Sequence, residues 1–254
     1  MSIYQHFRQE EHPFIDQVIS WRTSVERTYE KRLTDFLDPR EQQIISTLVG
    51  TNNDDLKLYF YGGGDFTERK RAIIAPFYEE IKDDTFDLNL LQASFNEKFN
   101  TITHRDVMGA FLSLGIERKK LGDILIENGL IQMMITADIA PYVTMNLTKI
   151  KNTNISLSEK PLSSILVKEL NWVESNKVVS SLRLDVVIKE IFSLSRKDAS
   201  QFIEKKHVKV NFRLVDDPAY QLYEGDLLSV RGKGRGKLIS IHGKTKKGRL
   251  SVTI

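Results

Sequence analysis

The chain contains no cysteine. That absence excludes disulfides, thiol nucleophiles and cysteine-ligated zinc. It also lacks any apolar run near the ~18 residues that a transmembrane helix needs. Its opening residues, Met1 to Arg8, have no apolar stretch of the kind that forms a signal-peptide core. These absences predict a cytoplasmic protein with no membrane association. The histidines, His6, His12, His104, His207 and His242, show no metal-ligand spacing. No carboxylate pair can be assigned to acid–base work. The sequence therefore predicts no catalytic residues, no metal and no cofactor.

What the chain has is charge, unevenly placed. Its 254 residues carry 37 Lys+Arg against 34 Asp+Glu, with 41% hydrophobic content, enough for two or three small cores. Residues 181–254 hold 16 basic and 8 acidic side chains, net +8, which leaves net −5 for residues 1–180. Between Arg231 and Arg249 there are eight basic residues, no acidic ones and five glycines. Glycine lets backbone N–H groups approach phosphates, and Lys/Arg neutralise them. A flexible solubilising tail is the plainer reading of that stretch. The wider basic bias favours nucleic acid.

Helical phase agrees. Leu184, Val187, Ile188 and Ile191 recur at the spacing of one buried helical stripe. Ser195 is a candidate N-cap, with Asp198 three residues on. Ala199, Phe202 and Ile203 then face inward, while Lys197, Gln201 and Lys205 fall on the opposite side.

Four motifs in this region closely resemble the S-four RNA-binding domain, named for small-subunit ribosomal protein four. They are Arg183-Leu184-Asp185, Ser195-Arg196-Lys197-Asp198-Ala199, Val208-Lys209-Val210-Asn211 and Gly225-Asp226. The resemblance implies that the second helix and the loop after it face structured RNA. Two departures stand out. That family often has Gly where this chain has Lys206 or His207, and Gly where it has Phe212, so those turns are expected to differ. The candidate RNA-binding residues are Arg183, Ser195, Arg196, Lys197, Gln201, Lys205, Lys206, His207, Lys209 and Arg213, then Arg231, Lys233 and Arg235. Arg196 has a second reading as a helix-holding residue.

Upstream, Phe14, Val18, Trp21, Val25, Leu33 and Phe36 read as one amphipathic helix ending before Asp38-Pro39. A second helix is expected from Glu41 to Val49, stopped by Gly50. Strands are expected at 56–61 and 70–75 around Gly62-Gly63-Gly64. That turn lacks the Gly-Lys-Ser/Thr of a phosphate-binding loop. It reads as a mobile hairpin turn, with Arg69, Lys70 and Arg71 either touching RNA backbone or lying on a solvated edge.

Residues 87–157 suggest β-α-β-β-α-β. A strand at 87–95 precedes a helix capped by Thr103 with Asp106 at N3 and ended by Gly115. Strands at 123–127 and 130–135 flank Asn128-Gly129, the strongest short hairpin signal. Asp138 is expected to cap a helix with Pro141 in its first turn, and 154–157 to close the set. This is the ferredoxin-like plait, which RNA-recognition motifs share. The strand Leu130–Ile135 lacks their stacking aromatics. Residues 159–180 read as a connection.

The whole layout resembles the YlmH family of bacterial S-four-containing proteins. The expected fold class is α+β, with a helical and β-ribbon region (1–80), an RRM-like plait (81–165) and an S-four-type domain (181–254). The chain is expected to be a monomer. The resemblance implies a partner of rRNA and tRNA, docked on the large ribosomal subunit. It further implies rescue of stalled nascent chains carrying peptidyl-tRNA, and genes lying near division genes. Two alternatives stay open: an RNA-modifying enzyme with an unrecognised catalytic centre, and a cell-division scaffold.

Overall fold

Pro13 sits in the first turn of α1 (His12–Thr28), where its missing N–H removes no helical bond. The computed structural model describes residues 3–50, 55–167, 172–244 and 248–254. They fall into two units, Met1–Glu169 and Leu170–Ile254. The class is α+β.

Helix α1 ends at Tyr29, which adopts left-handed geometry at φ 58°. Leu33 and Phe36 therefore do not continue it. They lie on β1 (Arg32–Leu37). Their spacing of three keeps one helical face but takes a regular strand's residues to opposite sides. The β1 bulge between them hides the strand period, so that Leu33 packs with Ile73 and Phe36 with Leu90. Helix α2 (Pro39–Val49) starts two residues earlier than expected. Asp38 accepts from the N–H groups of Arg40 and Glu41, and Glu41 accepts from the Asp38 N–H, a reciprocal capping box. Strands β2 (Leu56–Tyr61) and β3 (Lys70–Pro76) complete an antiparallel sheet of order β1-β3-β2. Ile15, Val18, Ile44, Ile45 and Ile74 join helices and sheet in one core.

The glycine-rich turn is pinned, against the expectation of mobility. The Asp123 carboxylate accepts from the N–H groups of Glu68 (2.7 Å) and Arg69 (3.2 Å). Arg69 donates to the Leu121 and Phe36 carbonyls. Arg71 is buried and donates to the carbonyls of Thr34 (2.7 Å), Phe86 (2.7 Å) and Asp87 (2.9 Å). Thr34 lies in a bulge of β1, where its carbonyl is lost to the ladder and needs another donor. These two arginines thus serve the fold. Burial lowers the Arg71 pKa, and Asp35 and Asp87 oppose that shift.

The plait follows with β4 (Leu88–Ser94), α3 (His104–Leu112), β5 (Leu121–Glu127), β6 (Leu130–Thr136) and α4 (Ala140–Asn146). A small hairpin, β7 (Lys149–Ile150) and β8 (Thr153–Asn154), precedes β9 (Ser158–Lys160). The sheet order is β5-β6-β4-β9, all antiparallel, as a ferredoxin-like plait requires. Asn128 and Gly129 both take positive φ, as their two-residue turn demands. Two expectations fail. Residues 154–157 do not close the sheet, because Asn154 pairs in the small hairpin and β9 takes the edge beside β4. Asp138 does not cap α4: it lies inside a 3-10 turn (Ala137–Ile139) and pairs with Lys120 at 2.9 Å.

Strand β5 is bulged at Gly122 and Asp123. Gly122 leaves room for the Phe36 ring, which an added Cβ would meet at 2.6 Å. Phe36, Leu90 and Met134 pack together there. Arg118 donates to the carbonyls of Leu121 and Gly122. Burial, then the charge of Arg69, bring its pKa down to about 10, so it stays cationic at neutral pH.

The second unit contains β10 (Asn176–Val179), α5 (Leu184–Ile191), α6 (Arg196–Glu204), β11 (Val208–Val210), β12 (Arg213–Leu214), β13 (Leu227–Val230), β14 (Gly234–Lys237), β15 (Ser240–Lys244) and β16 (Leu250–Thr253). The sheets are β12-β11-β13-β14 and β10-β16-β15. Residues 176–179, read from sequence as connection, pair with β16, and 168–171 lie outside the described residues. The basic glycine-rich stretch, weighed above as a flexible tail, forms β14 and β15, while Lys246 and Lys247 lie outside the described residues.

Replacing Arg71 with Met should strand three carbonyls and destabilise the chain by about 3 kcal/mol. Chemical denaturation reads this, and a loss below about 1 kcal/mol would show the carbonyls find other donors. The Asp106 carboxyl is held down to about 2 by its bonds with Lys151 and Thr103. A depressed folded value stabilises above the unfolded value and is lost as pH falls through the folded one. Asp106→Asn should thus be less stable than the parent at neutral pH, with the difference vanishing between about pH 4 and pH 2.

Candidate nucleic-acid interface

Asp185 organises the helical side of the second unit. Only 2% of its side chain is exposed. Arg183 donates to both of its oxygens (3.0 and 3.3 Å), and Arg196 approaches at 3.4 Å from α6. A buried carboxylate needs such partners, and two arginines leave excess positive charge at its rim. The hydrogen bond and charge of Asp185 raise the Arg183 pKa further. Arg196 combines the pairing role with 69% exposure, so its guanidinium also faces water.

Ser195 caps α6: its Oγ accepts from the Asp198 N–H at 3.1 Å and donates to the Asp198 carboxylate at 2.7 Å. Its hydroxyl is thereby committed to the helix end. Lys197, Gln201 and Lys205 are exposed, while Ala199 and Ile203 are buried, the division that helical phase predicts. Lys206 ends the helix at φ 58°, the conformation for which glycine is usual, and its Nζ lies 3.9 Å from Asp216. The turn geometry therefore survives without glycine.

The Asn and Asp of the strand motifs meet each other. Asn211 donates to Asp226 at 2.7 Å and accepts from the Leu227 N–H at 2.9 Å. Asp226 also accepts from the Tyr223 N–H. Asn211 and Phe212 form the two-residue turn between β11 and β12, both at positive φ. The Arg235 guanidinium lies over the Phe212 ring at 5.9 Å.

Strand register sets the other cations. Lys209 pairs with Ser229, and Ser229 pairs with Arg235. Side chains alternate across a sheet, so these three share its outer face, and Lys237 follows two positions after Arg235. Lys206, His207, Lys209, Arg231 and Arg235 line one open groove of about 490 Å³ with Gly232 and Gly234. Gly232 and Gly234 take φ of 78° and 110°. Lys233 lies with Arg235 and Lys237 on a neighbouring groove. Arg213 is half-buried at the edge, paired in register with Val210. The structure therefore gathers one group on the sheet and one on α6, and places Arg183, Ser195 and Arg213 in or beside supporting contacts.

Comparison with known proteins fits this geometry. A family model described as "Putative RNA-binding domain in YlmH" matches residues 82–164, and the S4 domain model matches residues 182–228. The "Ribosome-associated protein quality control protein P2" of Bacillus subtilis is 41% identical over 99% of this chain and 97% of its own length. The chain belongs to the YlmH family. The solved structure of "Cell division protein ylmH from Streptococcus pneumoniae" covers 64% of this chain and 98% of its own, with TM-score 0.53 and 32% identity. Small ribosomal subunit protein uS4 of Desulfotalea psychrophila is 40% identical over 24% of this chain and 30% of its own length.

Sequence reasoning missed Lys237 in this YlmH-family chain. Its signal was available: two residues after Arg235 on a strand means the same face. Lys197→Glu combined with Lys205→Glu should weaken binding of structured RNA about 10-fold or more and flatten the salt dependence by about one unit of slope per lost phosphate contact. The thermal midpoint should stay within about 1 °C, because both side chains are outward and, among the described residues, in no ion pair. Unchanged affinity at low salt would remove the α6 face from the interface.

Proposed function

We propose that the protein binds structured RNA through its C-terminal unit, docks on rRNA of the large ribosomal subunit, contacts peptidyl-tRNA there, and acts in the rescue of stalled translation. The observation that carries the RNA reading is the outward cationic surface. Lys197 on α6 and Lys205 at its C-cap, with Lys209 and Arg235 on the sheet and Arg231 in the turn between β13 and β14, are all exposed. Five such cations meeting phosphates would release counterions on binding, giving a log–log salt slope of about −4. The name carried by the Bacillus subtilis relative, matched along almost its entire length, supports the ribosomal setting.

The protein performs no chemistry of its own in this reading and works as a cytoplasmic monomer. Among the described residues no group of His, Asp and Glu is placed to hold a metal ion, and no helix is long and apolar enough to cross a membrane. The division-scaffold reading draws on the name of the pneumococcal relative, a cell division protein.

Co-sedimentation with separated ribosomal subunits tests the proposal, beside a mass-spectrometric search for modified nucleotides. The full chain should pellet with large subunits in preference to small ones, and more strongly when peptidyl-tRNA is present. Equal binding to any duplex RNA would sink the ribosomal reading. A protein-dependent mass shift in RNA would replace it with an enzyme, and partner proteins recovered without RNA would favour the scaffold.

A further inference from the structure

Trp172 is one of two tryptophans in the chain, and 51% of it is exposed. A large aromatic left half in water normally has a surface to offer. The ring does not hang from a loose end. Three residues on, Ser175 donates its N–H to the Ile254 carbonyl at 2.9 Å and accepts from the Ile254 N–H at 3.0 Å, which ties this segment to the end of β16. Gly236 draws β14 against α5, since a Cβ there would lie 2.5 Å from Ile191. The result is a groove of about 610 Å³ in which Trp172, Phe192 and Ile239 meet Lys233, Arg235 and Lys237. Among the described residues neither Lys233 nor Lys237 has a carboxylate within ion-pair distance, and Glu174 is the one acidic side chain lining the groove.

Flat aromatic surface beside several cations suits a particular ligand. An unstacked nucleotide has a π-face that any indole can stack upon and a phosphate on either side that a lysine can meet. A duplex presents phosphates but keeps its faces stacked. An apolar peptide would use the aromatic floor and leave three cations without purpose. We propose that this groove is a subsite for one unstacked nucleobase, with Trp172 stacking on its face and Lys233 and Lys237 meeting the flanking phosphates. The subsite rests on the RNA-binding reading above and adds to it a preference for a single-stranded or flipped-out nucleotide.

The full-length chain with Trp21→Phe keeps Trp172 as its sole indole. Trp21 lies on α1 in the first unit, edge-on to Phe14, so this change leaves the groove alone. Titration with hexauridylate should quench the remaining fluorescence, and an RNA duplex of equal charge should not. Trp172→Ala should weaken hexauridylate binding about 5- to 150-fold, the range for one stacked base, and Trp172→Phe should restore most of it. Lys233→Glu with Lys237→Glu should weaken binding and flatten its salt dependence while preserving the thermal midpoint. Unchanged affinity in both Trp172→Ala and the lysine double variant would overturn the subsite, as would equal quenching by an acidic peptide. If those variants bind normally while Lys197→Glu with Lys205→Glu does not, the subsite fails alone. If the parent binds neither hexauridylate nor structured RNA, the RNA reading fails with it.

Discussion

A charge taken out of water must be given partners, and this constraint sorts the cations of the chain into two sets. Asp185 sits buried between Arg183 and Arg196 and holds the two helices of the C-terminal unit to one another. Arg69, Arg71 and Arg118 satisfy carbonyls that the bulges of β1 and β5 release. Removing any of these would leave a polar group without water or partner, at roughly 1–3 kcal/mol each. Lys197, Lys205 and Lys209 stand outside that set and face solvent. Basic composition alone says nothing about this division.

The motif residues of the S4 domain fall largely on the structural side. Asn211 and Asp226 clamp β11 against the start of β13, and Ser195 caps α6. Gly225 takes φ of 88° and donates its N–H to Leu238 at 2.7 Å. What makes the family recognisable is thus mostly what makes it fold. On the proposed reading, RNA is met instead by outward side chains such as Lys197, Lys205 and Lys209. Phe212 shows how tolerant the frame is: it holds a left-handed turn position without glycine, against a bias of about 1–2 kcal/mol, and its ring carries Arg235 above it.

How much could be read from sequence depended on whether the signal was local. The plait, the Asn128-Gly129 hairpin, the Thr103 cap and the outward phase of α6 rest on neighbours a few residues apart, and they appear as expected. Leu33 and Phe36 were misplaced because a spacing of three is helical, while the β1 bulge between them breaks the strand's alternation. The glycine-rich turn looked mobile because its anchor, Asp123, lies 55 residues away from Glu68. Long-range satisfaction of backbone groups leaves no spacing to recognise. Lys237 was a different kind of miss, since its face followed from strand alternation once the strand itself was found.

The two sets of cations also differ in kind. The cations that hold the bulge carbonyls and those beside buried Asp185 are all arginines, while Lys197 and Lys205 on the outer side of α6 are lysines. A guanidinium carries five donors in a fixed plane and can satisfy several carbonyls at once, as Arg71 does with three. It is also weakly hydrated, so burial costs it less. An ammonium is strongly hydrated and performs best as a mobile point charge at a surface. Arg231 and Arg235 are exposed exceptions, and Arg235 lies in the grooves, where its flat group can both stack on Phe212 and grip a phosphate. The same planar chemistry that holds carbonyls inside the first unit is also presented at the surface of the second, where on the proposed reading it meets phosphate.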